Sequence, residues 1–473
     1  MYKDNYLNIF IHCYYIMLPN KKKITTGGYS LIFHPAIDKE GKEIQDLNFV
    51  TKIQIPSLSS ENEIIISETI KCIKNYTYHF SPVLSHTDIS LSHINRIMQE
   101  FDKDEPNEFQ DIKNILCGNH DIPTDTCVHM MIPYVGHLEY HKYISKLLHS
   151  ILLIHKFRYS NTKHENWHYN TYIQYGIEKL YDKNCLTKEF ISSRPLKQLS
   201  NDFLISFMDG FSHLLDSISL LLDKRIVHND VKDQNILYDE EKCYPILIDF
   251  GLSLPIQNLK DPTSYEHYFF VYKPSYFIWC PDIHFINYLI HENENPNIEH
   301  IEQFVYTYIE HLRKHVSLFF SKEQLETYTE NLIQYYSSFY TRETQPDTFI
   351  YNILRLCNIT KNTDYKIDKS HIIKYILRNY KKWDLHSLCI FYISMFSTIY
   401  KNTYEYHKYY QTKLNLTPSN KHMFDFDNTP FYQKINKLFF DILQPNYQIT
   451  DYKKEFLKIK SLVQDYIHDG LQY

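Results

Sequence analysis

Apolar residues recur at three- and four-residue steps through Phe203, Leu204, Phe207, Phe211, Leu214, Leu215, Ile218, Leu221 and Leu222, a spacing that gathers them on one face of a helix. This predicts an amphipathic helix from about Asn201 to Leu222, capped by Ser200 or Asn201. The pattern then changes: Ile236-Leu237-Tyr238 and Pro245-Ile246-Leu247-Ile248 are short apolar runs separated by the polar Asp239-Glu240-Glu241-Lys242, which predicts two strands joined by a turn. Earlier in the chain, Phe49-Val50-Thr51-Lys52-Ile53 alternates as a strand does. Phe80 to Leu84 starts another strand and Cys127 to Ile132 a third. Between these last two, residues from about Ser85 to Thr126 form an insertion longer than an ordinary loop, with a helix expected around His93 to Phe101. Towards the carboxyl end, amphipathic runs at Ile298 to Phe319 and Lys322 to Tyr340 predict a helical insertion, where Ser321 and Gln324 have the spacing of a capping box.

Strands thus precede a long helical remainder, which is the pattern of an α+β chain. The 473 residues, 43% hydrophobic and 22% charged, give ample core for one large domain with insertions. A net charge of -6 leaves no basic footprint, so bulk nucleic-acid binding is not expected. Nine cysteines without a disulfide-rich spacing fit free thiols in a reducing compartment. Cys117, His120, Cys127 and His129 match no common zinc pattern, and buried thiols and surface imidazoles are the simpler reading. The apolar stretch from Tyr6 to Leu18 spans only 13 residues and ends in Lys21-Lys22-Lys23, short of the roughly 20 residues of a bilayer crossing. A packed amino-terminal extension, residues 1–23, is the expectation, with no membrane partner.

The chemistry concentrates in His228-Asn229-Asp230-Val231-Lys232-Asp233-Gln234-Asn235, followed 14 residues after Asn235 by Asp249-Phe250-Gly251. Moving the terminal phosphoryl group of ATP to a hydroxyl needs an aligned nucleophile and compensation for charge spread over phosphate oxygens. Asp230 is placed to accept or orient the hydroxyl proton, and Lys232, two residues on, to reach the transferring phosphate. Magnesium prefers oxygen ligands and takes only one or two from protein, a role that Asn235 and Asp249 fit. The predicted hairpin between them would bring Asp249 back beside Asn235.

These motifs resemble the eukaryotic-type protein kinase superfamily, and Lys232 with Gly251 resembles its serine/threonine branch rather than small-molecule kinases. The resemblance implies a two-lobed fold: a small, mostly β lobe over residues 24–132, with its insertion at about 85–126, and a large helical lobe over 133–473, with a helical insertion at about 285–382. It also implies ATP and magnesium as cofactors, manganese being the alternative ion, and a protein as substrate. Aligned on the glycine-rich loop, Thr25-Thr26-Gly27-Gly28-Tyr29-Ser30-Leu31-Ile32 keeps the middle glycine, Gly27, while Thr25 and Ser30 replace the outer ones. Thr25, Gly27, Gly28, Ser30 and Ile32 are thereby candidates to contact nucleotide. Lys52 is the candidate for the α- and β-phosphates. Its expected ion-pair partner is Glu63, because Ile66 and Ile70 follow on the same face, with Glu68 as the alternate. A hinge at Pro133-Tyr134-Val135-Gly136 would turn backbone groups near Ile132 to Tyr134 towards adenine.

The departures from the family pattern carry expectations of their own. Asn229 replaces the Arg that in many kinases gathers an activation-loop phosphate, so activity should depend little on phosphorylation of Thr263, Ser264, Tyr265 or Tyr268. Trp279-Cys280-Pro281-Asp282 occupies the place of Ala-Pro-Glu. With no Arg after Arg378, the ion pair that Glu normally makes must be lost or rebuilt with Lys. Trp383-Asp384 resembles the start of the central large-lobe helix, where Asp384 would hold the catalytic-loop backbone or simply favour the helix start. The degraded glycine loop keeps a second reading open, a pseudokinase scaffold that binds partners. The helical insertion is the expected surface for a regulatory partner. Scarce Ala and Gly beside abundant Tyr, together with Gly27 to Ile37, resemble serine/threonine kinases of large DNA viruses, which implies the host cytoplasm or the virion as location.

Overall fold

The computed structural model describes residues 23–27, 30–102, 126–136, 138–145, 147–148, 196–292, 298–343, 369–414 and 430–471. It is a mixed α+β structure with a small strand-rich amino-terminal region and a mostly helical remainder. Two compact units divide the chain. The first comprises the residues up to Glu139 with Asp223–Asp230 and Gln234–Pro255; the second comprises Tyr140–Leu222, Val231–Asp233 and Ile256–Tyr473. Residues 1–22 of the expected amino-terminal extension and Gly28 lie outside the described residues, as do Cys117 and His120, while Lys23 opens the first strand.

In the first unit, β1 (Lys23–Gly27), β2 (Ser30–His34), β3 (Phe49–Gln54), β5 (Ser85–Ser90) and β6 (Thr126–Pro133) form one sheet in the order β1-β2-β3-β6-β5, all antiparallel. Side chains alternate between its faces. On one face Leu31, Phe33, Ile53, Ile89 and Cys127 pack with Ile94 and Ile97 of helix α2 (Leu91–Asp102) into a buried cluster. The register places Ile32, Lys52 and Met130 side by side on the other face. Helix α1 (Leu58–Lys71) begins at a capping box in which the Ser57 hydroxyl accepts from the Ser60 amide and Ser60 answers to the Ser57 amide.

A second sheet orders β4 (Phe80–Ser81), β9 (Tyr244–Ile248) and β8 (Ile236–Asp239). The β8–β9 hairpin is the one the apolar runs predict. Asp239 closes its turn by accepting the amides of Glu241 and Lys242, both at 2.9 Å. The strand expected at Phe80 to Leu84 is corrected: it stops at Ser81 and pairs with β9, because Pro82 has no N–H to continue a ladder. The edge of the larger sheet beside β6 is formed by Ser85–Ser90, at the start of the expected insertion, a strand with only Ile89 buried, whose polar pattern gave no strand signal. Ile226–Val227 (β7) and Leu254–Pro255 (β10) form a short antiparallel pair.

In the second unit, the helix expected from Asn201 runs from Leu196 to Asp223, so Ser200 and Asn201 are interior positions rather than caps. The apolar stripe continues backwards through Leu199 and Leu196 at helical steps, which outweighs the capping preference of Ser and Asn. Its Phe203–Asp223 part is long and apolar enough to cross a membrane. Within this unit, however, Phe207, Phe211, Leu214, Leu215, Ile218 and Leu221 of that stretch are fully buried. Phe207 and Phe211 pack on Tyr392, on the helix Trp383–Leu414, with ring centroids 4.9 Å apart in both pairs. The Tyr392 and Tyr140 hydroxyls both donate to the Phe207 carbonyl at 3.2 Å. Gly210 admits this arrangement, since a Cβ there would lie 2.0 Å from the Tyr140 hydroxyl and 2.6 Å from its ring carbon. Gly210→Ala should therefore destabilise the protein by about 1–3 kcal/mol, read as a lowered urea midpoint; an unchanged midpoint would show that Tyr140 can move aside. Helices Ile298–Val316 and Lys322–Glu343 match the expected pair. The Ser321 hydroxyl accepts from the Gln324 amide at 3.1 Å, and the Gln324 side chain accepts from the Ser321 amide at 2.9 Å.

Candidate active site

Lys52 is the centre of the site in the first unit. It stands on β3, flanked in register by Ile32 on β2 and Met130 on β6, and only 10% of its side chain is exposed. Its ammonium lies 2.7 Å from Glu63 Oε2 and 3.2 Å from Asp249 Oδ1. Glu68, the alternate partner, faces solvent and pairs with Lys71 at 2.6 Å. Burial by itself would draw the Lys52 pKa down, but the carboxylates of Asp249 and Glu63 outweigh it and hold the ammonium firmly protonated. Glu63 is pushed up from the ordinary carboxylate range by burial and by Asp249, against the pull of Lys52. The two shifts point the same way although the groups are partners. The short contact to a protonated Lys52 favours the ion pair, in which one ammonium answers two carboxylates.

Asp249 and Asn235 are placed by local structure. Asp249 follows β9 directly, with φ +64, a left-handed conformation that Asp tolerates better than most residues. Asn235 immediately precedes β8, so the hairpin brings both to the same end. The Asn235 amide nitrogen donates to the Asp230 carbonyl at 3.0 Å and to Asp230 Oδ2 at 2.7 Å. That fixes the Asp230 carboxylate and engages the Asn235 side chain through its nitrogen, so that its oxygen is the atom suited to accept or to ligate. Asp230 and Asn235 are buried, whereas the Asp249 side chain is 43% exposed. An amide oxygen with a partly exposed carboxylate is a donor set suited to a hard cation such as magnesium.

Several residues that the sequence did not single out hold this arrangement. The Asn62 side chain, beside Glu63 on α1, donates to the carbonyls of Gly251 at 3.0 Å and Ser253 at 2.7 Å. Ser253 in turn donates to the His228 carbonyl at 3.2 Å. A ring nitrogen of His228 lies 3.1 Å from the Ile248 carbonyl, and the other accepts the Asp230 amide at 3.3 Å. Phe250 is fully buried against His228 and Phe80. Gly251 is needed because α1 approaches so closely that a Cβ would sit 2.2 Å from Ser59 Oγ. The signal for Asn62 was present as a polar residue on the buried face of a helix, adjacent to the ion-pairing Glu.

Other candidates fall elsewhere. Thr25 pairs with Ile32, and Gly27 with Ser30, at the closed end of the β1–β2 hairpin; Ser30 is buried. Ile132 lies opposite Val50 on the Lys52 face of the sheet. At the expected hinge, the Tyr134 amide donates to the Asn48 carbonyl at 2.7 Å, and its ring stacks on His34 at 3.8 Å. The Pro133 carbonyl accepts from Ser81 Oγ at 2.8 Å. Two of the backbone groups expected near adenine are thus hydrogen-bonded within the protein. Cys127 and His129 are both buried, and a His129 ring nitrogen bonds the Ile37 carbonyl at 2.9 Å, consistent with structural roles.

No protein-family model and no curated protein matches this chain. The function therefore has to be argued from the geometry.

Lys232 belongs to the second unit, where its ammonium lies 5.9 Å from the centroid of the Tyr276 ring. Lys273 is held down at about 8 by burial and by the charge of Lys232. A lysine whose folded value lies below its ordinary 10.5 binds its proton more weakly in the native state, so stability should rise between about pH 8 and 10.5. Melting midpoints of wild type and Lys273→Met should converge across that range; a constant difference would refute the coupling. Asn229, with φ +61, donates to the Leu252 carbonyl at 3.0 Å. It spends its side chain on the turn after Asp249 instead of on a phosphate. Of the hydroxyls Thr263, Ser264, Tyr265 and Tyr268, Ser264 closes a capping box with Asp261, and Tyr265 is buried.

Proposed function

We propose that this chain is an ATP- and magnesium-dependent protein kinase that transfers the γ-phosphoryl group to serine or threonine hydroxyls, on a two-lobed kinase-like fold. The observation that carries the reading is Lys52 bridging Glu63 and Asp249, which lie 11 and 197 residues away in sequence. A buried lysine held charged between a helix carboxylate and a partly exposed aspartate is what recognition of a nucleotide polyphosphate requires. The five-stranded order and the Asp230–Asn235 pair support the same reading.

In this mechanism Lys52, oriented by Glu63, binds the α- and β-phosphates. Asp230, its carboxylate fixed by Asn235 and its backbone by His228, orients the acceptor hydroxyl and takes its proton. Lys232 offers a cation to the transferring phosphoryl group. Asp249 and Asn235 would hold magnesium, which supplies charge neutralisation between the phosphates when bound. Ile32 and Ile132, half-buried on the Lys52 face of the sheet, give an apolar surface for the adenine ring.

A scaffold that retains the fold without catalysis is the second reading, favoured by the occupied Tyr134 amide. Transfer of radiolabelled phosphate from ATP with magnesium to generic protein substrates separates the two. Label on serine or threonine is the expected result. Nucleotide binding without transfer would favour the scaffold, and absence of both would sink the kinase reading.

A further inference from the structure

We propose that the second unit carries a separate site for a phosphate monoester, at a cavity of about 460 Å³ bounded by residues 375–382 and 447–450. Three cations, Arg378, Lys381 and Lys382, line it within a single short helical turn. Lys382 is the buried floor. It donates to the Pro445 carbonyl at 2.8 Å and lies 3.6 Å from Asp282, so its charge is answered from behind. The other two are not answered. Lys381 donates to the Thr450 carbonyl at 2.7 Å, which positions one of its three N–H groups and leaves two. The Arg378 guanidinium is held over the Tyr375 ring at 5.5 Å, and among the described residues neither it nor Lys381 meets a carboxylate.

Arg378 is exposed and Lys381 half-buried, so solvent screens much of their repulsion, and a bound anion removes the remainder while gaining two cationic donors. The chemistry selects among anions. A guanidinium presents a planar fork and an ammonium a point charge, a pair suited to a tetrahedral, doubly charged phosphoryl group. The walls supplied by Tyr375 and Tyr447 leave room beyond that group for the body of a small ligand or a phosphorylated side chain, since the volume is in the range of ordinary small-molecule sites. This site does not depend on the proposed kinase activity, and none of its residues is among those assigned to catalysis.

Calorimetric titration of the full chain at constant ionic strength tests it, with inorganic phosphate, O-phosphoserine and glucose 6-phosphate as probes. Saturable binding is expected. It should weaken at least tenfold in the double variant Arg378→Gln/Lys381→Gln, with folding checked by circular dichroism. A preference for O-phosphoserine would identify a phosphorylated side chain as the source, and one for glucose 6-phosphate a free metabolite. Unchanged binding in the double variant, or equal heats from chloride and sulfate, would overturn the proposal; so would binding only to phosphoinositide vesicles, which would make the surface a membrane contact. Should the variant fail to fold, modification of Arg378 in the wild type by phenylglyoxal, mapped by mass spectrometry, gives a second reading. Phosphate monoesters should protect Arg378 while chloride at equal ionic strength does not, and equal labelling in both would refute the site.

Discussion

Asp249→Asn should reduce phosphoryl transfer by on the order of a hundredfold or more, and Asp230→Asn by a comparable factor, with the fold of both variants intact. The two changes act differently. Asp249 is the partly exposed carboxylate at the end of β9 and shares Lys52 with Glu63. Its amide isostere keeps an oxygen for hydrogen bonding but loses the charge that a magnesium ion and the Lys52 ammonium both use. Lys52 would retain Glu63 alone, so nucleotide binding should weaken together with transfer. Asp230 is buried and held by Asn235, and no described contact ties it to Lys52. Its replacement should leave nucleotide binding near the wild-type level while the rate falls, which is the signature of a group acting on the acceptor hydroxyl. Initial rates with radiolabelled ATP, beside direct titration of nucleotide, distinguish the two patterns. Wild-type transfer by either variant would remove that residue from the mechanism.

How far the sequence revealed this site depended on whether the geometry is local. Asp230 and Asn235 lie within one turn of chain, and Asp249 is returned by a hairpin whose apolar runs and polar turn are both legible. The choice between Glu63 and Glu68 required the helix to be set against the sheet, and the spacing of Ile66 and Ile70 gave only a preference. Asn62 showed only as a polar residue on the buried face of a helix, and its role was not legible because its partners, Gly251 and Ser253, lie about 190 positions away and are backbone carbonyls. No side-chain type advertises such a contact. The edge strand Ser85–Ser90 was missed for a different reason: an edge strand with a solvated face needs no apolar alternation, so the pattern that identifies strands is missing. The same limit applied at the hinge, where the Tyr134 amide is taken by Asn48 across a loop.

In the helical unit, Asp282→Ala should destabilise the fold by about 3–5 kcal/mol, the usual cost of breaking a buried pair by removing one partner. The sequence left two outcomes for this residue, an ion pair lost or one rebuilt with lysine, and the structure has the second. Asp282 is 1% exposed, and its Oδ2 lies 3.6 Å from the ammonium of Lys382, itself 5% exposed. Oδ1 accepts from the Tyr336 hydroxyl at 3.1 Å, and Oδ2 from the Trp383 indole at 3.3 Å and the Asn379 amide at 3.4 Å. These donors come from helix Lys322–Glu343 and from the turn into helix Trp383–Leu414, so one carboxylate joins three segments. Truncation to Ala leaves Lys382 with the Pro445 carbonyl and the Tyr335 ring but no counter-charge among the described residues, and leaves buried donors without their acceptor. The double variant Asp282→Asn/Lys382→Met removes both charges while keeping an amide for the tyrosine and indole. It should therefore be more stable than Asp282→Ala, with a coupling energy of about 1–3 kcal/mol in the mutant cycle. Urea denaturation followed by far-ultraviolet circular dichroism measures both quantities. Additive losses would mean that the two charges do not stabilise one another and that Lys382 is held by the Pro445 carbonyl and the Tyr335 ring.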